Sequence, residues 1–241
     1  MDIDVHIKAV VKSSLIDYPG KVAAVVFLNK CNYRCSFCHN PELVFDEYSK
    51  DMPDIPVEEF MEFLSHKKKW IDGVTILGGE PTLHKGLLDF MRLLKSKGFD
   101  VKLDTNGTNP EIIKKAISEK IVDYIAMDIK NSRERYEETV KVKPSLEKID
   151  ESIKLIMDAG KSSLIEYDFR TTALPRFHTK DDFEKISQWI KGAKTYYIQQ
   201  FRTEQSLVDN SLIDDQTFSL SELEDFKKIM EKTIENVTIR E

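Results

Sequence analysis

Cysteine is scarce in this 241-residue chain: there are three, and all of them fall between positions 31 and 38. An odd count, with no basic leader in Met1-Asp2-Ile3-Asp4, argues against a disulfide framework and for a reduced, cytoplasmic setting. A run of 18 or more apolar residues is also missing, which excludes a membrane-spanning helix by hydropathy. An excess of positive charge is missing too. Lys+Arg is 36 against Asp+Glu 42, a net charge of −6. That balance gives no support to nonspecific nucleic-acid binding and leaves only a local basic patch open. With 41% hydrophobic and 32% charged residues, the composition is that of an ordinary globular chain. Its length allows one domain with a large core, 1–241, and brings a (β/α) barrel within reach.

What is present is concentrated in Cys31-Asn32-Tyr33-Arg34-Cys35-Ser36-Phe37-Cys38-His39-Asn40, a C-x3-C-x2-C spacing. Thiolates are soft ligands, and three on one short loop can converge on one metal or cluster. A [4Fe–4S] cube usually takes four protein ligands, so three cysteines leave one iron open to another molecule. Two blander readings stand beside this one. Structural zinc accepts Cys3His, with His6, His66, His84 or His178 reaching in from afar, since His39 directly follows Cys38 and closes a tetrahedron awkwardly. Inert buried thiols are the other.

Strand and helix patterns alternate along the rest of the chain. Ile3 to Val11 reads as a short strand, and Ser14 to Gly20 as a turn. The VAAVVFL run, Val22 to Leu28, has the continuous apolar character of a parallel strand buried on both faces, and the cysteine loop leaves its C-terminal end. Later strands are expected at 73–77, 99–103, 124–127, 164–172 and 196–201, with helices at 57–70, 84–97, 110–120, 133–140, 145–159 and 181–190. Gly160 is expected to cap the helix that precedes it. Near the end, Ser219 and Glu222 offer a helix cap, Leu223, Phe226, Ile229 and Met230 form an apolar stripe, and Asn236 to Arg240 reads as an edge strand. The expected architecture is α/β: a parallel sheet with right-handed crossovers, curved into a partial (β/α)6 TIM-like barrel over 22–201. Residues 1–20 lead in, and 202–241 extend it.

In such a fold the chemistry collects at the C-terminal ends of the strands. Gly78-Gly79-Glu80-Pro81 ends one strand, its glycines permitting close backbone approach to a ligand. Asp104-Thr105-Asn106-Gly107 ends the next, although Asn106-Gly107 alone is accounted for by a turn. Asp128 and Lys130, two apart, point to one face, where they could simply pair. Glu166, Asp168 and Arg170 share a face of the fifth repeat strand, and charges turned into a barrel are costly unless they meet a ligand or one another. Gln200 ends the sixth strand. His84 reads as a surface histidine at a helix start, and His178 sits in a loop.

The cysteine spacing resembles the signature of the radical S-adenosylmethionine (SAM) superfamily. The C-H-N-P, L-D-T-N-G and D-I-K runs together resemble its glycyl-radical-enzyme activating enzymes, in particular the anaerobic ribonucleoside-triphosphate reductase activating subgroup and pyruvate formate-lyase activating enzyme. The likeness extends from Ser14-Leu15-Ile16-Asp17-Tyr18-Pro19-Gly20 to Gln199-Gln200-Phe201-Arg202. It implies a [4Fe–4S] cluster on Cys31, Cys35 and Cys38. SAM chelates the open iron, and one electron cleaves the sulfonium to a 5′-deoxyadenosyl radical that abstracts hydrogen from a partner's glycine. It further implies Phe37 near the adenine, Gly78, Gly79 and Glu80 at the methionine amino group, and Asp104, Thr105 and Asp128 at a monovalent cation beside the SAM carboxylate. Asn106 belongs to the same run. Lys130 is expected to approach SAM, Arg170 to bind its carboxylate, and Gln200 to lie across the mouth near the adenine. The resemblance implies a flavodoxin or ferredoxin as electron donor and low-oxygen conditions. The lone cysteine group excludes ferredoxin-like inserts and auxiliary clusters. A small molecule or RNA as substrate, or a zinc-stabilised interaction domain, are the alternatives.

Overall fold

The computed structural model describes residues 3–202 and 207–240. Eight strands lie in chain order in one sheet: β1 (Ile7–Ser14), β2 (Ala23–Leu28), β3 (Gly73–Gly78), β4 (Asp100–Thr105), β5 (Tyr124–Asp128), β6 (Glu166–Ala173), β7 (Thr195–Gln200) and β8 (Asn236–Arg240). β1 runs antiparallel to β2, and every later neighbour pair is parallel. Among the described residues β1 and β8 do not pair with each other. The sheet is therefore an open barrel, six β/α repeats from β2 to β7 with one extra strand at each edge.

The helices are α1 (Pro41–Val44), α2 (Asp46–Ser49), α3 (Val57–Lys67), α4 (Leu87–Ser96), α5 (Pro110–Ser118), α6 (Tyr136–Val140), α7 (Leu146–Lys161), α8 (Lys180–Trp189) and α9 (Leu220–Met230). The main core lies between sheet and helices. Strand residues such as Val26, Ile76, Leu103, Ile125, Phe169 and Ile198 meet Phe60, Leu94, Ile113, Ile156 and Phe183 there. Side chains alternate along a strand, so the intervening positions turn to the barrel interior. Chain punctuation matches local chemistry: α1 and α5 open on proline, and α8 and α9 open on capping boxes, Thr179 with Asp182 and Ser219 with Glu222. None of the described helices is long and apolar enough to cross a membrane.

Several sequence expectations shift here. The first strand begins at Ile7 and takes in Ser14, because its pairing with β2 continues to Ala23. The helix expected at 133–140 starts as a 3-10 turn, Arg133–Arg135, before α6. Gly160 does not cap α7; it lies inside the helix, and Ser162 is the cap. A Cβ at 160 would stand 2.2 Å from Tyr167 Cε1, so the glycine is there to let the Tyr167 ring lie against the helix backbone. His84 is buried instead of exposed, its Nε2 hydrogen-bonded to the Asn29 carbonyl at 2.8 Å.

Gly160→Ala is therefore expected to destabilise the protein by about 1–3 kcal/mol through overpacking, although alanine has the better helix propensity. Urea unfolding checks this, and a stabilised variant would contradict the packing role.

Candidate functional site

The C-terminal ends of the strands open into a cavity of about 310 Å³. Its wall includes Cys31, Cys35, Cys38 and Phe37 on one side and Asp104, Asp128, Lys130 and Arg170 on the other, with Gly78, Gly79, Glu80, Thr105 and Asn106 between them. Asp17, from the turn after β1, lines it as well.

The cysteine loop is held by its own apolar cluster. Cys35, Tyr33 and Phe37 pack with Tyr136, Leu174, Phe177, Phe201 and Leu212. The Phe37 and Phe177 rings lie 5.8 Å apart, and His39 stacks on Phe201 at 5.7 Å. Backbone bonds tie the loop outward: Arg34 N to the Val140 carbonyl, Val208 N to the Cys38 carbonyl and Asp209 N to the Ser36 carbonyl. All three cysteines are free thiols. Burial pushes the Cys31 thiol up to about 12 and Cys35 up to about 11, and raises Cys38 as well. Thiols so desolvated stay protonated until a metal takes the proton's place. His39, which also lines the cavity, donates its Nε2–H to the Arg202 carbonyl at 2.9 Å. Among the described residues, no three of His, Cys, Asp and Glu converge as a single-ion site requires. Three free thiols on the wall of one cavity are a donor set that an iron–sulfur cluster accepts.

Gly78 and Gly79 bring the next strand against this loop. A Cβ on Gly78 would stand 2.1 Å from the Leu28 carbonyl oxygen, and one on Gly79 2.0 Å from that of Lys30. These glycines let the chain approach its own backbone closely, where Gly79 N and Glu80 N donate to the Leu28 and Lys30 carbonyls, and both also line the cavity.

Glu80 is buried and braces the site. Its Oε1 accepts from Thr82 N at 3.1 Å, from the Thr82 hydroxyl and from Thr105 Oγ1 at 2.7 Å; Oε2 accepts from Asn106 N at 2.7 Å. Burial raises its pKa in spite of these donors. Asn106 continues the brace: its Nδ2 donates to Asn32 Oδ1 at 2.8 Å, and Asn32 Nδ2 donates to Thr108 Oγ1 at 2.9 Å. The end of β4 is thereby locked to the cysteine loop.

Across the cavity runs a chain of charges, Lys102–Asp104–Arg170–Asp128–Lys130. Lys102 bonds Asp104 Oδ1, and Arg170 Nη2 reaches Asp104 Oδ2 at 2.8 Å. Arg170 Nε reaches Asp128 Oδ1 at 2.8 Å, and Lys130 Nζ reaches Asp128 Oδ2 at 2.8 Å. Asp104 and Asp168 flank Ala126 in register, and Asp128 sits beside Arg170. Ala126 has nothing beyond Cβ, so the guanidinium can cross over it to Asp104. Burial alone would raise Asp128, but Lys130 and Arg170 outweigh it and hold the carboxyl well below its usual range. Lys130 and Arg170 are raised in turn, the neighbouring carboxylates overcoming their own desolvation. Below them Asp168 Oδ2 accepts from the Tyr124 hydroxyl at 2.7 Å, while its Oδ1 has no hydrogen-bond partner among the described residues. Burial raises Asp168 against the pull of Arg170.

Of the residues read from the sequence, the cavity gathers all but Gln200. That amide donates to the Phe218 carbonyl at 2.9 Å, on the same strand parity as Tyr196 and Ile198, which face the helices; Gln199 lines the cavity instead. His178, left open by the sequence, is buried. It accepts from Leu174 N at Nδ1, so its Nε2–H donates to the Lys130 carbonyl at 2.9 Å and positions that residue. Sequence reasoning missed Lys102, Asn32, Thr82 and Thr108. Lys102 was within reach of the argument applied to Asp128 and Lys130, since it stands two residues from Asp104 on the same strand.

Three thiols facing an ionic wall at the open end of a partial barrel define the class, and the comparisons agree. The Radical SAM superfamily model matches residues 25–190, and the chain belongs to that superfamily. It is thus an enzyme whose cofactors are a [4Fe–4S] cluster and SAM. Over 235 residues, 97% of this chain and 95% of the relative, it is 37% identical to a Methanocaldococcus jannaschii protein carrying the provisional name glycyl-radical enzyme activating enzyme. It is 29% identical over 197 residues to pyruvate formate-lyase-activating enzyme of Streptococcus mutans, covering 77% of this chain and 71% of that one. Among solved structures, Streptococcus suis SuiB bound to its precursor peptide SuiA matches with a TM-score of 0.65 at 14% identity, a likeness of fold. That match covers 90% of this chain and 48% of that longer one.

Asp128→Asn leaves Lys130 and Arg170 short of a counter-charge and is expected to cost on the order of 3 kcal/mol at neutral pH. Because the native carboxyl is held below its unfolded value, its contribution is fully present above about pH 4 and is lost as pH falls through the native value. Urea unfolding at a series of pH values should therefore show wild type and variant converging in acid. A gap that widens in acid would contradict the assignment.

Proposed function

We propose that this chain is a glycyl-radical-enzyme activase: it cleaves SAM reductively and takes a hydrogen atom from a backbone glycine of a partner glycyl-radical enzyme. The observation that carries the reading is 37% identity, over nearly the whole length of both chains, to a relative bearing that name. Cys31, Cys35 and Cys38 would hold the cluster, which would supply the one-electron reduction that SAM cleavage needs.

The chain's own residues bind and orient. Arg170 uses Nε and Nη2 on the two aspartates, and no hydrogen bond engages its Nη1 among the described residues, which leaves that edge of the guanidinium for the SAM carboxylate. Lys102, Arg170 and Lys130 pair with Asp104 and Asp128, and Arg170 and Lys130 line the cavity, so cationic groups stand where an anionic group of SAM would dock. Glu80 sets the loop at which the SAM amino group docks and holds β3 to β4 through Thr105 and Asn106. Phe37, packed on Phe177, excludes water beside the cluster and offers an apolar edge to the adenine. The residues 1–241 act as one unit, since a single sheet runs from β1 to β8. A flavodoxin or ferredoxin supplies the electron, and the protein works in a cytoplasm poor in oxygen.

The test is anaerobic incubation of the reconstituted enzyme with SAM, a reductant and the glycyl-radical enzymes of the same genome, followed by electron paramagnetic resonance. One partner is expected to acquire the doublet of a glycyl radical, in proportion to the 5′-deoxyadenosine formed. Cys35→Ala is expected to lose both signals while keeping its helical circular dichroism. 5′-Deoxyadenosine produced with no glycyl radical on any such partner would contradict the reading and favour a small molecule or RNA as substrate.

A further inference from the structure

The resemblance that names the cofactors also assigns a monovalent cation to Asp104, Thr105 and Asp128, and the arrangement of this chain does not fit one. Each carboxylate oxygen of the two aspartates is already taken by a cationic donor: Lys102 and Arg170 on Asp104, Arg170 and Lys130 on Asp128. Thr105 Oγ1 is committed as well, donating to Glu80 at 2.7 Å and accepting from Gly107 N at 3.1 Å. Lys102 is nearly inaccessible, its side chain 4% exposed and that of Asp104 8%. A metal cation placed between these aspartates would join three positive side chains at short range in a desolvated site, where like charges repel strongly. Geometry and charge therefore agree.

We propose that Lys102, together with Arg170, stands in this chain where a monovalent cation would otherwise bridge Asp104 and Asp128, so that SAM binding needs neither sodium nor potassium. Lys102 is a positioning residue in this account. It stands two residues before Asp104 on β4 and fixes that carboxylate, so that Arg170, on the cavity wall, is held by both aspartates through Nε and Nη2. A tethered ammonium fills such a place without depending on the ions of the medium. The inference rests on the SAM reading above and does not depend on which partner is activated.

The test uses reconstituted holoenzyme without partner, in potassium, sodium or choline chloride at one ionic strength. SAM affinity by equilibrium dialysis is expected to agree within about twofold across the three salts, and the melting temperature of the SAM-free protein to be the same in each. Lys102→Met is expected to lose at least about tenfold in SAM affinity in choline and to recover most of it in potassium or sodium. Lys102→Arg, which keeps the charge, is expected to remain indifferent to the salt. A wild-type affinity that falls about tenfold or more in choline would overturn the inference even if no variant folds. So would a Lys102→Met enzyme that binds SAM as well as wild type in every salt. SAM binding absent in all three salts would overturn the SAM reading itself and this inference with it, whereas failure to activate a partner would touch only the activase reading.

Discussion

The ionic chain Lys102–Asp104–Arg170–Asp128–Lys130 is the constraint on which the rest of the site depends. Five charged side chains turned into a barrel have to find partners, because an unpaired charge at this depth costs several kcal/mol. They find one another only because β4, β5 and β6 are parallel neighbours in one register, and because Ala126 leaves the space between them open. Such a chain is a poor way to stabilise a fold, since apolar residues of similar volume usually do as well or better. What it does is fix the Arg170 guanidinium between Asp104 and Asp128, on the wall of the cavity that the three thiols also line.

The thiols need an equally fixed place, and the chain meets that need by tying each strand end to the next. The glycines at 78 and 79 let the end of β3 lie on the backbone of Leu28 and Lys30. Glu80 then joins β3 to β4, and Asn106 joins β4 back to the cysteine loop through Asn32. On the far side, the apolar cluster around Tyr33, Phe37 and Tyr136 backs the loop and keeps it from solvent. Buried carboxylate and amide bonds of this kind are costly to leave half made, so the loops move together or not at all. A cofactor that bridges the two walls meets a preformed site.

Much of this was legible in the sequence. The alternation of apolar strands with helical patterns laid out the six repeats, and the cysteine spacing, the Glu80 turn, Asp104, Asp128 and Arg170 marked the strand ends. What escaped did so for physical reasons. Gln200 was assigned to the mouth by its place at a strand end, but period-two parity with Tyr196 and Ile198 sends it to the helix side. Gly160 looked like a cap because glycine often is one, and only the Tyr167 ring across the helix explains it. His84 and Lys102 are polar residues whose burial depends on partners distant in sequence or unmarked by any motif. The bonds that brace the site, Glu80 to Asn106 and Asn32 to Thr108, join segments up to 76 residues apart and leave no local pattern.

The most direct test of the account is electron paramagnetic resonance of the reduced, reconstituted protein with and without SAM. An iron–sulfur cluster held by these three thiols should give a signal that changes on adding SAM, because three protein ligands would leave one iron for it. Protein that takes up iron and sulfide yet shows a spectrum indifferent to SAM, or well-folded protein that binds zinc and no cluster, would contradict it.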